Sequence, residues 1–149
     1  EYGSSYAAYL VFDNNNTTRW STETGQAANC WVKLFLGDTP NYIARSLSVK
    51  FYSGNEAINA FKFQGSNNDS DWTDLYSGNF VRDDSLQTFE FDNNVIYKYF
   101  RLLAVSVYGT TCSIYTIVIS GVYIITQNYL RSMRNRFDMR GISTQNILH

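Results

Sequence analysis

FKFQGSNNDSDWTDL, residues 61 to 75, is the stretch on which the fold turns. Phe61 and Phe63 are separated by Lys62 and followed by Gln64, so apolar and polar side chains alternate with the period of a half-buried strand. Gly65 ends that pattern. Ser66 to Asp71 is a run of short polar residues that favour turns. A strand that stops at such a cluster asks for neighbours on both sides, and the sequence offers them in each direction. Leu47-Ser48-Val49-Lys50-Phe51 alternates in the same way upstream. Further strands are expected over 6–12, 30–36, 46–52, 60–65, 88–91, 99–108 and 114–125. Turn clusters lie at 14–18, 37–40, 53–56, 66–71, 83–85 and 92–94. Short strands with turn signals roughly every dozen residues predict an antiparallel sandwich or barrel.

The totals agree. The chain has 149 residues, 44% hydrophobic and 17% aromatic, with a single proline. That suits one domain with a packed core and a preference for strands. No apolar run is long enough for a membrane span, and no signal peptide is evident. Net charge is −1, split between a body at −4 and residues 126–149 at +3. An acidic body argues against specific nucleic-acid binding. Cys30 and Cys112 either pair or remain buried free thiols; two cysteines do not make a disulfide scaffold.

The tail, TQNYLRSMRNRFDMRGISTQNILH, reads differently from the rest. Leu130, Met133 and Phe137 recur at helical spacing, Arg134 lies among them and Gly141 is a natural stop. The expectation is a sandwich over 1–125 and a short basic helical or extended tail over 126–149. The tail stripe is too small to be a core by itself, so it would pack on the sandwich or on other protein subunits.

Four stretches in order resemble the discoidin family, also called the coagulation factor 5/8 type C domain. They are VFDNNNTTRWST at 11–22, CWVKLFLG at 30–37, FKFQGSNNDSDWTDL at 61–75 and YFRL at 99–102. The family includes galactose-binding-like bacterial carbohydrate-binding modules. The resemblance implies an all-β, eight-stranded antiparallel jelly-roll sandwich, with Phe12, Trp20, Trp31, Phe61, Phe63, Trp72 and Phe100 in its core.

The resemblance also implies a structural Ca²⁺ wrapped by the 10–18 loop. Asp13 would give a carboxylate oxygen, Asn15 and Leu10 backbone carbonyls, and Thr18 its hydroxyl and carbonyl. The family adds a carboxylate from its last strand, where this chain has Thr116. One carboxylate instead of two lowers the attraction for the ion. The alternative is a metal-free loop closed by Asn and Thr hydrogen bonds to backbone. For glycan binding, the resemblance implies loops at one end of the sandwich. The family's arginine position falls near Lys50 or Tyr52 and its asparagine near Asn55 or Asn59, while Tyr108 offers an aromatic platform. The first binding loop, 22–26, carries neither His nor an aromatic.

Catalysis has little to stand on. The only histidine is His149, and no phosphate-binding glycine loop occurs. Asp83-Asp84 is an acid pair in a turn, not two carboxylates set across a cleft. The expected function is non-catalytic glycan recognition at an extracellular, cell or virion surface, as in adhesion or host attachment. The alternative is a structural or adaptor subunit of a large assembly, anchored through its tail.

Overall fold

The structure, a computed structural model, describes residues 7–13 and 15–124. Eight strands follow one another: β1 (Trp20–Ser21), β2 (Trp31–Phe35), β3 (Tyr42–Phe51), β4 (Ala60–Ser66), β5 (Thr73–Asn79), β6 (Gln87–Glu90), β7 (Tyr99–Ala104) and β8 (Ser113–Tyr123). They form two four-stranded sheets, ordered β1-β8-β3-β6 and β2-β7-β4-β5. Every pairing is antiparallel. This is the eight-stranded antiparallel sandwich that the family resemblance implies, built from the antiparallel strands that the alternation predicts. The tail assigned to 126–149, with Leu130, Met133, Arg134 and Phe137, lies outside the described residues.

The long β3–β8 pair, from Tyr42 opposite Tyr123 to Phe51 opposite Ile114, is the spine of the first sheet. Leu47, Val49 and Phe51 are fully buried, while Ser48 faces outward and shares a 2.8 Å hydrogen bond with Thr88. The second sheet answers with Phe61 and Phe63 from β4 and Phe100, Leu102 and Ala104 from β7. Rings mesh between the layers. Phe61 stacks on Phe80 at 4.2 Å, Phe80 meets Phe51 edge-on at 4.9 Å, and Phe61 meets Phe89 of β6 edge-on at 5.0 Å. Such pairs contribute about 0.5–1.5 kcal/mol each beyond the area they bury.

The strand expected over 6–12 is instead a 3-10 helix, Ala8–Phe12, which buries Val11 and starts with Leu10 N–H donating to the Ala7 carbonyl. A short apolar run has no periodicity that separates strand from helical turn, and here no strand pairs with it. The strand expected over 99–108 ends at Ala104. Val105 and Ser106 both direct their N–H groups to the Ala60 carbonyl, and the chain turns away. β1 and β5 were not expected. β5 reads TDLYSGN, weak strand formers that β4 recruits as an edge partner.

Two tryptophans correct the expected core. Trp20 is buried, but Trp31 is 49% exposed. In Trp31-Val32-Lys33-Leu34-Phe35 it is Val32 that points inward, so Trp31 shares the outer face with Lys33 and Phe35. Trp72 is only partly buried and lies under the Arg101 guanidinium, 4.1 Å from the ring centre. Phe12 packs at the edge of the core. No helix among the described residues is long and apolar enough to cross a membrane.

Candidate functional site

Three connections meet at one end of the sandwich: residues 53–57 after β3, 80–86 after β5 and 105–112 before β8. Backbone bonds tie them. Tyr108 N–H donates to the Ala57 carbonyl at 3.1 Å, and Asn59 N–H donates to the Ser106 carbonyl at 2.8 Å. Two glycines allow the close fit. A Cβ on Gly109 would stand 2.3 Å from the Asn55 carbonyl oxygen, and one on Gly54 would stand 2.7 Å from the Arg82 carbonyl oxygen.

On that base sit Asn55, Arg82 and Tyr108, one from each connection. The Arg82 guanidinium donates to Asn55 Oδ1 at 2.5 Å and stands 5.6 Å from the centre of the Tyr108 ring. The Tyr108 hydroxyl donates to the Phe80 carbonyl at 2.8 Å, which fixes the ring plane against the core. Asn55 and Arg82 are exposed and Tyr108 is half-buried. A cation, an amide and an aromatic ring, held in place before any ligand arrives, are what a polar ring compound such as a sugar needs. Asn59 lies at the same end, its Oδ1 accepting from Asn79 Nδ2 at 3.1 Å.

Lys50 and Tyr52 belong to a different neighbourhood. Lys50 pairs with Thr116 across β3–β8. The Tyr52 ring lies 3.8 Å below the Arg19 guanidinium and meets Tyr115 at 5.6 Å. Sequence reasoning singled out Asn55 and Tyr108 but not Arg82, which the fold places beside them. In Val81-Arg82-Asp83-Asp84 the acid pair draws attention, yet Asp83 spends Oδ1 on the Ser85 N–H and hydroxyl.

The second polar cluster is the 10–18 loop. Asp13 Oδ1 accepts from Asn15 N–H at 2.9 Å, and Oδ2 accepts from the Thr18 hydroxyl at 2.7 Å. That hydroxyl is 3.1 Å from the Asn15 carbonyl oxygen. Three oxygens so close to one another fit part of a Ca²⁺ shell, which takes six to eight hard donors. Leu10 comes from the 3-10 turn, not from a strand. Thr116, buried on β8, faces the loop and donates its hydroxyl to Asn16 Oδ1 at 3.2 Å. Among the described residues no group of three or more His, Cys, Asp or Glu gathers, so a cation here would rest mainly on neutral oxygens.

The 22–26 loop borders a hollow of about 400 Å³ together with Trp20, Ser21 and residues 28–30. Gly25 N–H donates to the Thr110 carbonyl at 2.7 Å, which joins this loop to the one bearing Tyr108.

Comparison with known proteins agrees with this fold. The structure of the family 32 carbohydrate-binding module of Clostridium perfringens NanJ, solved with galactose, superposes with a TM-score of 0.67 at 21% identity, covering 78% of this chain and 85% of that one. Chitosan-binding module 1 of a Paenibacillus sp. IK-5 chitosanase/glucanase gives 0.68 at 20% identity, covering 80% and 88%. The module of AlyQ, solved with 4,5-unsaturated mannuronic acid, gives 0.64 at 19% identity, covering 78% and 88%. At these identities the likeness establishes the fold. No curated protein matches the sequence. The family model for the F5/8 type C domain matches residues 1–117, most of the chain and all of the sandwich up to the middle of β8. With its two antiparallel sheets and the loop order found here, the chain belongs to the F5/8 type C domain family.

Proposed function

We propose that this protein is a non-catalytic carbohydrate-recognition module that works outside the cell, with Asn55, Arg82 and Tyr108 as its glycan contacts. The observation that carries the proposal is the convergence of these three side chains from three separate connections, on a fold shared with modules solved with sugars. Arg82 and Asn55 supply donors and an acceptor for hydroxyl groups. The Tyr108 ring supplies an apolar surface for the C–H face of a pyranose.

The ligands named for the structural neighbours choose the first probes: galactose, unsaturated mannuronic acid oligomers and chitosan oligosaccharides. The test is titration calorimetry of the full chain against each, followed by a broad glycan array with Ca²⁺ present. Saturable binding that Arg82→Ala weakens about tenfold, roughly 1.4 kcal/mol, is the expected result. Silence across the array would remove the proposal.

We also propose that the 10–18 loop takes up Ca²⁺ weakly through Asp13, Thr18 and the Asn15 carbonyl, as a support for the fold and not as a ligand contact. Its donor set, with one carboxylate, suits modest affinity. The reading as a subunit of a large assembly rests on the tail, outside the described residues, and the similar structures named above give it no support.

A further inference from the structure

We propose that the outer face of the second sheet is a further binding surface, for a carboxylate-bearing polysaccharide chain laid across β2 and β7. It shares no residue with the rim of Asn55, Arg82 and Tyr108 and does not depend on that reading.

The strand pairing assembles the face. Trp31, Lys33 and Phe35 alternate along β2 with inward Val32, and they stand opposite Leu103, Arg101 and Tyr99 of β7. Residues directly opposed across a strand pair share a face. Phe35 and Tyr99 stack at 4.6 Å, with ring planes 21° apart. The Lys33 ammonium lies 5.3 Å from the Trp31 ring centre and 5.7 Å from that of Tyr99. Trp31 is 49% exposed and Phe35 48%. Three rings bridged by one ammonium form a continuous patch on an open sheet face, and such patches mark contact surfaces.

Beside the rings lies a polar network held in place before any ligand arrives. Arg101 stands over Trp72, and its Nε donates to Gln64 Oε1 at 2.7 Å. Gln64 Nε2 donates to Asp74 Oδ1 at 2.5 Å, and Lys62 pairs with Asp74 Oδ2 at 2.7 Å. Lys33 pairs with Asp69 at 2.5 Å. Arg101 has no ion pair of its own among the described residues. Asp69 and Asp74 favour its charge from nearby, but each is engaged by a lysine. Three cations therefore face two carboxylates here, on a body whose net charge is −4. A guanidinium set against an indole, with Nε already occupied, offers its remaining fork to a planar carboxylate. The rings suit the C–H faces of pyranoses. A repeating chain of sugar rings and carboxylates matches this interleaving of aromatics and cations. An apolar protein patch would instead bury Lys33 and Arg101 against no anion, at a desolvation cost.

The test is titration of the full chain, followed through its backbone amide NMR signals. The probes are hexasaccharides of mannuronate and of galacturonate, and the methyl esters of both. Expected are saturable shifts at 31–35 and 99–103 with the acids, and binding about tenfold weaker with the esters. Trp31→Ala and Arg101→Gln should each weaken binding of the acids by about fivefold or more. Trp31 is exposed, so Trp31→Ala serves even where Arg101→Gln folds poorly. Galactose reports on the rim in the same spectra, through 53–57, 80–86 and 105–112, so either surface can fail alone. Absence of shifts at 31–35 and 99–103 with both acids, or shifts confined to the rim, would overturn the proposal. So would esters that bind as tightly as the acids, or an affinity unchanged in the folded variants. Concentration-dependent shifts at 31–35 without any glycan would overturn it too, and would make the face a contact between copies of this chain.

Discussion

Two polar clusters compete for the role of functional site, and they are built in opposite ways. Asn55, Arg82 and Tyr108 come from three connections far apart in sequence and are locked together by backbone bonds, close glycine contacts and the Tyr108–Phe80 bond. The 10–18 cluster closes on itself within a few residues, through Asp13, Asn15 and Thr18. The first holds its shape because the whole sandwich does. The second holds its shape by local turn bonds, each worth about 1 kcal/mol. A rigid composite of distant residues suits selective recognition of a shaped ligand, whereas a local oxygen-rich turn suits a spherical ion that tolerates loose geometry.

The hardest blow to that contrast is Gly109→Ala. The new methyl would stand 2.3 Å from the Asn55 carbonyl oxygen, against backbone that cannot step aside cheaply. The 53–57 and 105–112 connections must separate. Stability should fall by about 2 kcal/mol by thermal or denaturant melting, and glycan binding should fall well over tenfold. If binding survives, the composite rim is not the contact surface.

Side-chain changes at the rim should separate binding from folding. Arg82→Ala should weaken glycan binding about tenfold while stability moves by no more than about 1 kcal/mol, because its partners Asn55 and the Tyr108 ring face solvent on one side. Tyr108→Phe keeps the ring but frees the Phe80 carbonyl. It should cost about 1 kcal/mol of stability and a smaller loss of affinity. A larger effect on binding from Tyr108→Phe than from Arg82→Ala would mean that the hydroxyl, not the cation, meets the ligand.

How much of this the sequence disclosed follows from the same distinction between local and distant. Period-two alternation placed Leu47, Val49 and Phe51 in the core, and the turn clusters separated the strands. The Asp13–Thr18 loop was legible because its bonds are local. Arg82 was not, because nothing near Val81 and Asp83 in sequence announces Asn55 or Tyr108. Trp31 shows a different failure. Its own strand carries the answer, since Lys33 and Trp31 must share a face, but the family resemblance implied burial. β5 was missed because an edge strand receives its conformation from β4 and not from the propensities of Thr-Asp-Leu-Tyr-Ser-Gly-Asn.

The smallest expected effect is the most delicate test of the contrast, because Asp13 has two jobs. Its carboxylate closes the turn onto Asn15 N–H and the Thr18 hydroxyl, and it would supply the only full charge to a cation. Asp13→Asn keeps an oxygen to accept from Asn15 N–H and removes the charge. In chelator, wild type and variant should therefore melt within about 2 °C of each other. On adding millimolar Ca²⁺ the wild type should rise by about 3 °C, roughly 1 kcal/mol of linkage, and the variant should not respond. Glycan affinity should be the same for both, with and without Ca²⁺, because the loop and the rim share no hydrogen bond among the described residues. A wild type indifferent to Ca²⁺ would leave the loop a self-closed turn. A calcium-dependent glycan affinity would make the two clusters one site, and the distinction between distant composite and local turn would no longer divide their functions.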